Sequence, residues 1–164
     1  MLSDKARIFV QAGRGGDGCL SFRREAHVPR GGPDGGDGGR GGAVVLVCDD
    51  SLRDLQSFKR RAHYKADRGR HGEGSQRHGA DGEDLIVRVP VGTLVRRVEE
   101  NGTDSVLADL DEPGAAVVGA YGGMGGKGNA RFATSPNQAP RLHERGQRGP
   151  DAQIILDLKL ISDA

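Results

Sequence analysis

Aromatic side chains are scarce in this chain. It has no tryptophan, two tyrosines and four phenylalanines in 164 residues. That argues against a stacking platform built for single-stranded nucleic acid. Cysteine is almost absent as well. Cys19 and Cys48 are the only two, and neither lies in a CxxC or His/Cys metal spacing. They read as free thiols of a cytosolic protein, with one disulfide between them left open. No apolar run approaches the roughly 20 residues that a membrane span needs. The N-terminal MLSDKARIFVQAG holds no apolar stretch of secretory type. A cytoplasmic protein with no membrane span is expected. Catalytic signatures are missing too, because no Ser-His-Asp or paired-carboxylate arrangement stands out. His27, His63, His71, His78 and His143 lack ligand spacing on a defined element. No catalytic residue and no metal site is nominated, and His71 and His78 read as solvated loop residues.

Glycine is what the chain has in excess, with 28 residues concentrated in three stretches at about 13–42, 59–82 and 119–149. The stretch RGGPDGGDGGRGG (30–42) shows the pattern best. Gly32, Gly35, Gly38 and Gly41 recur at every third residue, and Gly36, Gly39 and Gly42 repeat one register over. Gly119, Gly122, Gly125 and Gly128 keep the same step. Three is the period of the polyproline II helix. Glycine along one face lets two such helices approach to backbone contact, and their free N–H groups then bond carbonyls of neighbours. One such helix alone would not repay the cost of ordering glycine. Three excursions, each out and back, give up to six helices in one bundle. Disordered linker is the competing reading of such composition. The G-X-Y frame is short, broken and poor in proline, which argues against collagen.

Between these stretches lie short apolar segments. KARIFVQA (5–12), CLSFRRE (19–25), AVVLVCDD (43–50), HYKAD (63–67), SVLADLD (105–111), AAVVGA (115–120) and QIILDLKLI (153–161) read as strands. EDLIVRVPVGTLVRRVEE (83–100) reads as two strands broken near Pro90 and Gly92. Asn101-Gly102 suggests a hairpin turn with positive φ at both positions. SLRDLQSF (51–58) suggests a short helix opened by Ser51. The expectation is all-β, a small sandwich or barrel base with a projecting glycine-rich bundle.

Charge is segregated. The three stretches hold seventeen basic and eight acidic residues, a surplus of nine, while the remainder holds seven and fifteen, a deficit of eight. The net charge of +1 therefore hides a basic projection on an acidic base. Arginine dominates the projection and suits phosphate through its bidentate fork. A phosphate-rich partner such as folded RNA, held by shape and backbone contact, is the leading expectation. Solubilising arginines, or arginines bonded to carbonyls within the bundle, are the alternative, and a protein or acidic-lipid partner shares the signal. GRGGDG (13–18) matches the dinucleotide fingerprint on paper, but CLSFRRE behind it reads as strand and offers no helix N-terminus. GGKGN around Lys127 fails the phosphate-loop pattern.

FRREAHVPRGGPDGGDGGRGG (22–42), VPVGT (89–93), GGMGGKGN (122–129) with Arg131 and Phe132 behind it, and the final LKLISDA together resemble the N-terminal glycine-rich domain of the Obg family of GTPases. The resemblance covers essentially residues 1–164 as one domain. It implies a β-barrel base with six polyproline II-like helices. It also implies binding to the large ribosomal subunit and its rRNA near the peptidyl transferase centre, in late assembly and in preventing premature subunit joining. The family's GTPase domain follows this region and would be a further partner. With no Walker A loop or NKxD here, GTP and Mg²⁺ are expected only in that following domain, none in this chain, and this chain is expected not to be an enzyme. Its end at a family domain boundary suggests a segment of a longer protein. Arg23, Arg24, Arg30, Arg70, Arg77, Lys127, Arg131 and Arg141 are the candidate RNA contacts. A nucleotide-holding enzyme domain and a protein-interaction scaffold are the alternatives.

Overall fold

The computed structural model describes residues 2–23, 31–134 and 140–160. Among these, the strands are β1 (Leu2–Gln11), β2 (Val44–Cys48), β3 (His63–Lys65), β4 (Leu85–Val89), β5 (Thr93–Val98), β6 (Asp104–Leu110), β7 (Ala116–Ala120) and β8 (Asp151–Leu160). A one-turn helix α1 (Ser57–Arg60) precedes β3. One mixed sheet runs β3-β1-β8-β5-β6, and a second runs β4-β2-β7. The fold is all-β.

Alternation along the strands builds the core. β1 and β8 pair antiparallel with Ile8 opposite Ile154 and Ala6 opposite Leu156. β5 continues the ladder with Val95 opposite Leu156. The inward residues Ile8, Val10, Val95, Ile154 and Leu156 meet Val44, Leu46, Val87 and Val89 of the second sheet, and all are buried. Burial of each such side chain contributes about 1.5–3 kcal/mol.

Three local features differ from the sequence reading. CLSFRRE is not a strand over its described part, residues 19–23. There only Phe22 makes an isolated bridge, to Pro33, because the backbone of this stretch is committed to the glycine segments. The helix near 51–58 shrinks to α1, since Asp49 Oδ1 accepts both the N–H and the hydroxyl of Ser51 in a local turn. At the β5–β6 hairpin only Gly102 has positive φ, at 85°. Its N–H donates to Glu99 O and the Glu99 N–H to Thr103 O, so the loop has three residues with glycine in the left-handed position.

The β1–β2, β3–β4 and β7–β8 connections are the glycine-rich excursions. Each goes out and returns, giving six extended segments at 12–21, 31–43, 66–73, 77–84, 121–129 and 140–150. Their hydrogen bonds step by three. In the first segment Gly13, Gly16 and Cys19 donate to the carbonyls of Gly42, Gly39 and Gly36 of the second. Ala12, Gly15 and Gly18 donate to Pro150, Gln147 and Glu144 of the sixth, all at 2.8–2.9 Å. The second donates to the third (Gly36, Gly39 and Gly42 to Glu73, Arg70 and Asp67) and to the fifth (Gly38 and Gly41 to Gly126 and Gly123). The third and fifth donate back to the first, through Gly69 and Gly72 and through Gly123, Gly126 and Asn129. First, second and third segments thus form one closed ring of donors, and first, second and fifth form another. The fourth and sixth segments lie outside these rings.

The approach that permits these bonds leaves no room for a side chain. A Cβ on Gly38 would lie 1.9 Å from the Gly16 carbonyl oxygen, one on Gly41 1.8 Å from that of Gly13, and one on Gly122 1.6 Å from that of Gly41. Gly35, Gly125 and Gly128 meet carbonyl oxygens at 1.9–2.1 Å. Gly119 belongs instead to β7, where a Cβ would press on Leu46 Cδ1 at 2.9 Å, and Gly32 has nothing within 4 Å. Replacing Gly38 by alanine should therefore lower unfolding stability by about 3 kcal/mol or more, the upper range of overpacking costs. Gly32→Ala should be neutral or stabilise by under about 1 kcal/mol. Chemical denaturation of both variants checks the contrast; equal effects would contradict the packing described.

Candidate nucleic-acid interface

The far end of the bundle is tied together by Asn129, which is fully buried. The donor series Gly41 to Gly123 and Gly38 to Gly126 would place the next bond between Gly35 and residue 129. There the Asn129 side chain takes over: its Oδ1 accepts the Gly35 N–H at 2.8 Å and the Ser21 N–H at 3.4 Å. Its Nδ2 donates to the carbonyls of Ser21 at 2.9 Å and Pro140 at 3.2 Å. One side chain thus joins the turn regions of the first and third excursions. The second excursion joins them through buried Asp34, which accepts the Ser75 N–H on Oδ2 and the Gln76 N–H on its carbonyl. Ser75 and Gln76 are held there at φ 61° and 56°.

Most acids of the bundle accept backbone N–H groups, while Asp67, Glu73 and Glu83 stand exposed. Asp17 accepts from Gly146 N–H, Asp37 from Gly128, Asp81 from Arg40, and Glu144 from Lys127, at 2.8–3.1 Å. His78, Asp81 and Asp84 form a series of their own, stepping by three and accepting from Asp37, Arg40 and Ala43. His71 Nδ1 likewise accepts the Asp17 N–H at 2.8 Å. His71 and His78 are exposed, yet they do more than the solvated role read from sequence: each satisfies a donor that has no carbonyl in reach. The Gly146 N–H holds the Asp17 carboxyl below the ordinary range against partial burial, with His71, Arg14 and Arg145 adding to it.

The candidate cations are outward. Arg23, Arg70, Arg77, Lys127, Arg131 and Arg141 are all exposed, while Arg24 and Arg30 lie outside the described residues. Arg23, Arg77, Arg131 and Arg141 gather at the far end, next to the residues that Asn129 and Asp34 join. Lys127 sits one step down the fifth segment and Arg70 midway along the third. Arg131 pairs with Asp37 and Arg77 with Glu73 at 3.5 Å. Among the described residues, Arg77 alone of these six bonds a carbonyl within the bundle, that of Gly74 at 3.0 Å. Glycine N–H groups, acids and Asn129 hold most of the bundle together, with the Arg131–Asp37 pair adding one arginine contact between segments.

Most backbone donors of the nucleotide-like motifs are already spent. Gly13, Gly15, Gly16 and Gly18 of GRGGDG all spend their N–H groups on neighbouring segments. Around Lys127, the N–H groups of Gly126, Lys127 and Gly128 bond Gly16 O, Glu144 Oε1 and Asp37 Oδ1. Both cysteines are free thiols, and burial is the main influence pushing each one up in pKa. Among the described residues no group of three or more His, Cys, Asp or Glu could hold a metal, and no helix is long and apolar enough to cross a membrane. Sequence reasoning missed Asn129 and the acid series. The one signal for them was the step of three continuing past the last glycine.

The chain is an all-β base carrying a glycine-backed bundle with exposed cations. The GTP1/OBG family model matches residues 3–160, and the chain belongs to that family. It is 52% identical over 163 residues to GTPase Obg of Sulfurihydrogenibium sp., covering 99% of this chain and 46% of that protein. It is 53% identical over 163 residues to GTPase Obg of Moorella thermoacetica (99% and 38%). It is 54% identical over 160 residues to GTPase Obg of Persephonella marina (98% and 46%). The chain thus spans less than half the length of these relatives.

Asn129→Ala should cost about 2–5 kcal/mol, because it orphans the buried Gly35 N–H and the buried Pro140 carbonyl at once. Thermal unfolding, with limited proteolysis around residues 21 and 140, checks it. A loss under about 1 kcal/mol would mean that Asn129 does not tie the tip.

Proposed function

We propose that this chain is the ribosome-docking domain of a longer Obg-family GTPase, and that its bundle binds rRNA of the large subunit by shape and phosphate contact. The observation that supports this best is the division of labour in the bundle. Asp17, Asp34, Asp37, Asp81, Asp84 and Glu144 serve as acceptors for backbone N–H groups, while the described arginine and lysine heads stand in solvent on a rigid frame. Such a surface attracts a polyanion and is preorganised to match its shape.

In this reading the segments are polyproline II-like, in keeping with φ −73° and ψ 163° at Gly128. The projecting end, with Arg23, Arg77, Arg131 and Arg141, enters the cleft near the peptidyl transferase centre. The bound domain then acts in late assembly and keeps the subunits from joining too early. GTP and Mg²⁺ belong to a following GTPase domain, which is also a partner of this one, and residues 1–164 form a single non-enzymatic domain working in the cytoplasm.

Co-sedimentation with purified large subunits across a salt series tests the proposal, beside Lys127→Glu/Arg141→Glu. Binding should saturate, fall steeply with salt through counterion release, and weaken about tenfold or more in the double variant. Binding that is absent at low salt, or indifferent to salt and to both substitutions, would overturn it.

A further inference from the structure

The basic surplus of the second excursion is not confined to the bundle. Lys59 and Arg60 end α1, Arg61 follows, and Lys65 closes β3, so four of the seven basic residues in 59–82 stand on the base. β3 is the edge of the five-stranded sheet. Arg61, His63 and Lys65 alternate outward and are exposed, while Ala62 and Tyr64 between them are half-buried. Extended backbone sets side chains on one face about 6.6 Å apart. From Lys65 the chain runs directly into the third bundle segment, where Arg68 and Arg70 continue the exposed row.

Arg61 donates to the His63 carbonyl at 3.4 Å and Arg68 lies 3.2 Å from His71 Nε2, but these cations have no acidic partner among the described residues. Among the described residues none of Lys59, Arg60, Arg61, Lys65, Arg68 and Arg70 has a carboxylate within 4.0 Å. Arg77 and Arg131, by contrast, are paired. Arg61 instead lies over the Tyr64 ring, 4.6 Å from its centre, which keeps the guanidinium extended along the edge. Beside the row, Phe9 is 40% exposed although aromatic, and its ring lies parallel to that of His63 at 5.0 Å. Charge alone would protect an edge strand from pairing with another chain. That role explains neither an exposed aromatic stack nor a row that continues onto the bundle. The cleft at this edge, about 770 Å³, has Glu99, Glu100 and Asp151 across from the basic wall. They repel an anion and confine it to the β3 side.

We infer that Arg61, His63, Lys65 and Arg68 form a second phosphate-backbone contact that carries RNA from the bundle down onto the β-base, with the Phe9–His63 stack as a seat for one unpaired base. This rests on the RNA reading of the bundle. The test is Arg61→Glu/Lys65→Glu beside Lys127→Glu/Arg141→Glu, measured in the 164-residue chain against intact large subunits and against protein-free rRNA extracted from them. All four side chains are exposed, and unchanged melting temperatures verify folding. The β3 variant should bind both targets about tenfold more weakly at 0.1 M salt, with the slope of log affinity against log salt shallower by about 2, near 0.9 for each lost contact. Unchanged affinity and slope for the β3 variant, with the bundle variant impaired, overturns the inference and leaves the bundle reading standing. No effect of either variant overturns the RNA reading itself. Loss on intact subunits but not on free rRNA assigns the row to a ribosomal protein and overturns the inference.

Discussion

Everything in this protein's projection depends on one contact, a glycine set directly against a carbonyl oxygen of the neighbouring segment. At that distance no Cβ fits, so the rest of the design is forced. Glycine must recur wherever two segments meet, and a central segment with neighbours on several sides needs it at two of every three positions. The second segment shows this with Gly35-Gly36, Gly38-Gly39 and Gly41-Gly42. The remaining positions carry aspartate and arginine: Arg40 is exposed and Asp37 half-buried, while Asp34 is buried at the tip. Structure and surface charge are therefore written in the same three-residue frame.

That frame also explains how so polar a body holds together. Almost no apolar side chain is buried in the bundle, so its cohesion comes from backbone bonds between segments and from the β-base that anchors both ends of each excursion. Where a carbonyl falls out of reach, a side chain substitutes. His71, His78, Asp81 and Asp84 do so along the flank, and Asn129 does so at the tip. Many acids thus serve the frame, while the described cations remain on the surface of a chain with net charge +1.

Much of this is legible in the sequence. Alternation in β1, β2, β4, β5 and β8 marks the strands, and the step of three marks the meeting faces. What escapes is set by long-range partners. CLSFRRE alternates like a strand, but its described backbone bonds the second and fifth segments instead of a sheet. Ser51 resembles a helix cap, yet Asp49 two residues earlier captures it. Asn129 looks like any loop asparagine until Gly35, Ser21 and Pro140 surround it. The second basic stretch reads as one excursion, although its first half belongs to α1 and β3. The described candidate cations fall on exposed positions because charged heads have nowhere else to go between glycines.

The central claim is that the glycine stretches are one hydrogen-bonded frame with a period of three. Residue-resolved amide hydrogen exchange tests it most directly. In the first segment Gly13, Gly15, Gly16 and Gly18 should exchange slowly, while Arg14, whose N–H has no partner among the described residues, exchanges fast between them. Uniformly fast exchange from residue 12 through residue 42 would contradict the account and return these stretches to disordered linker.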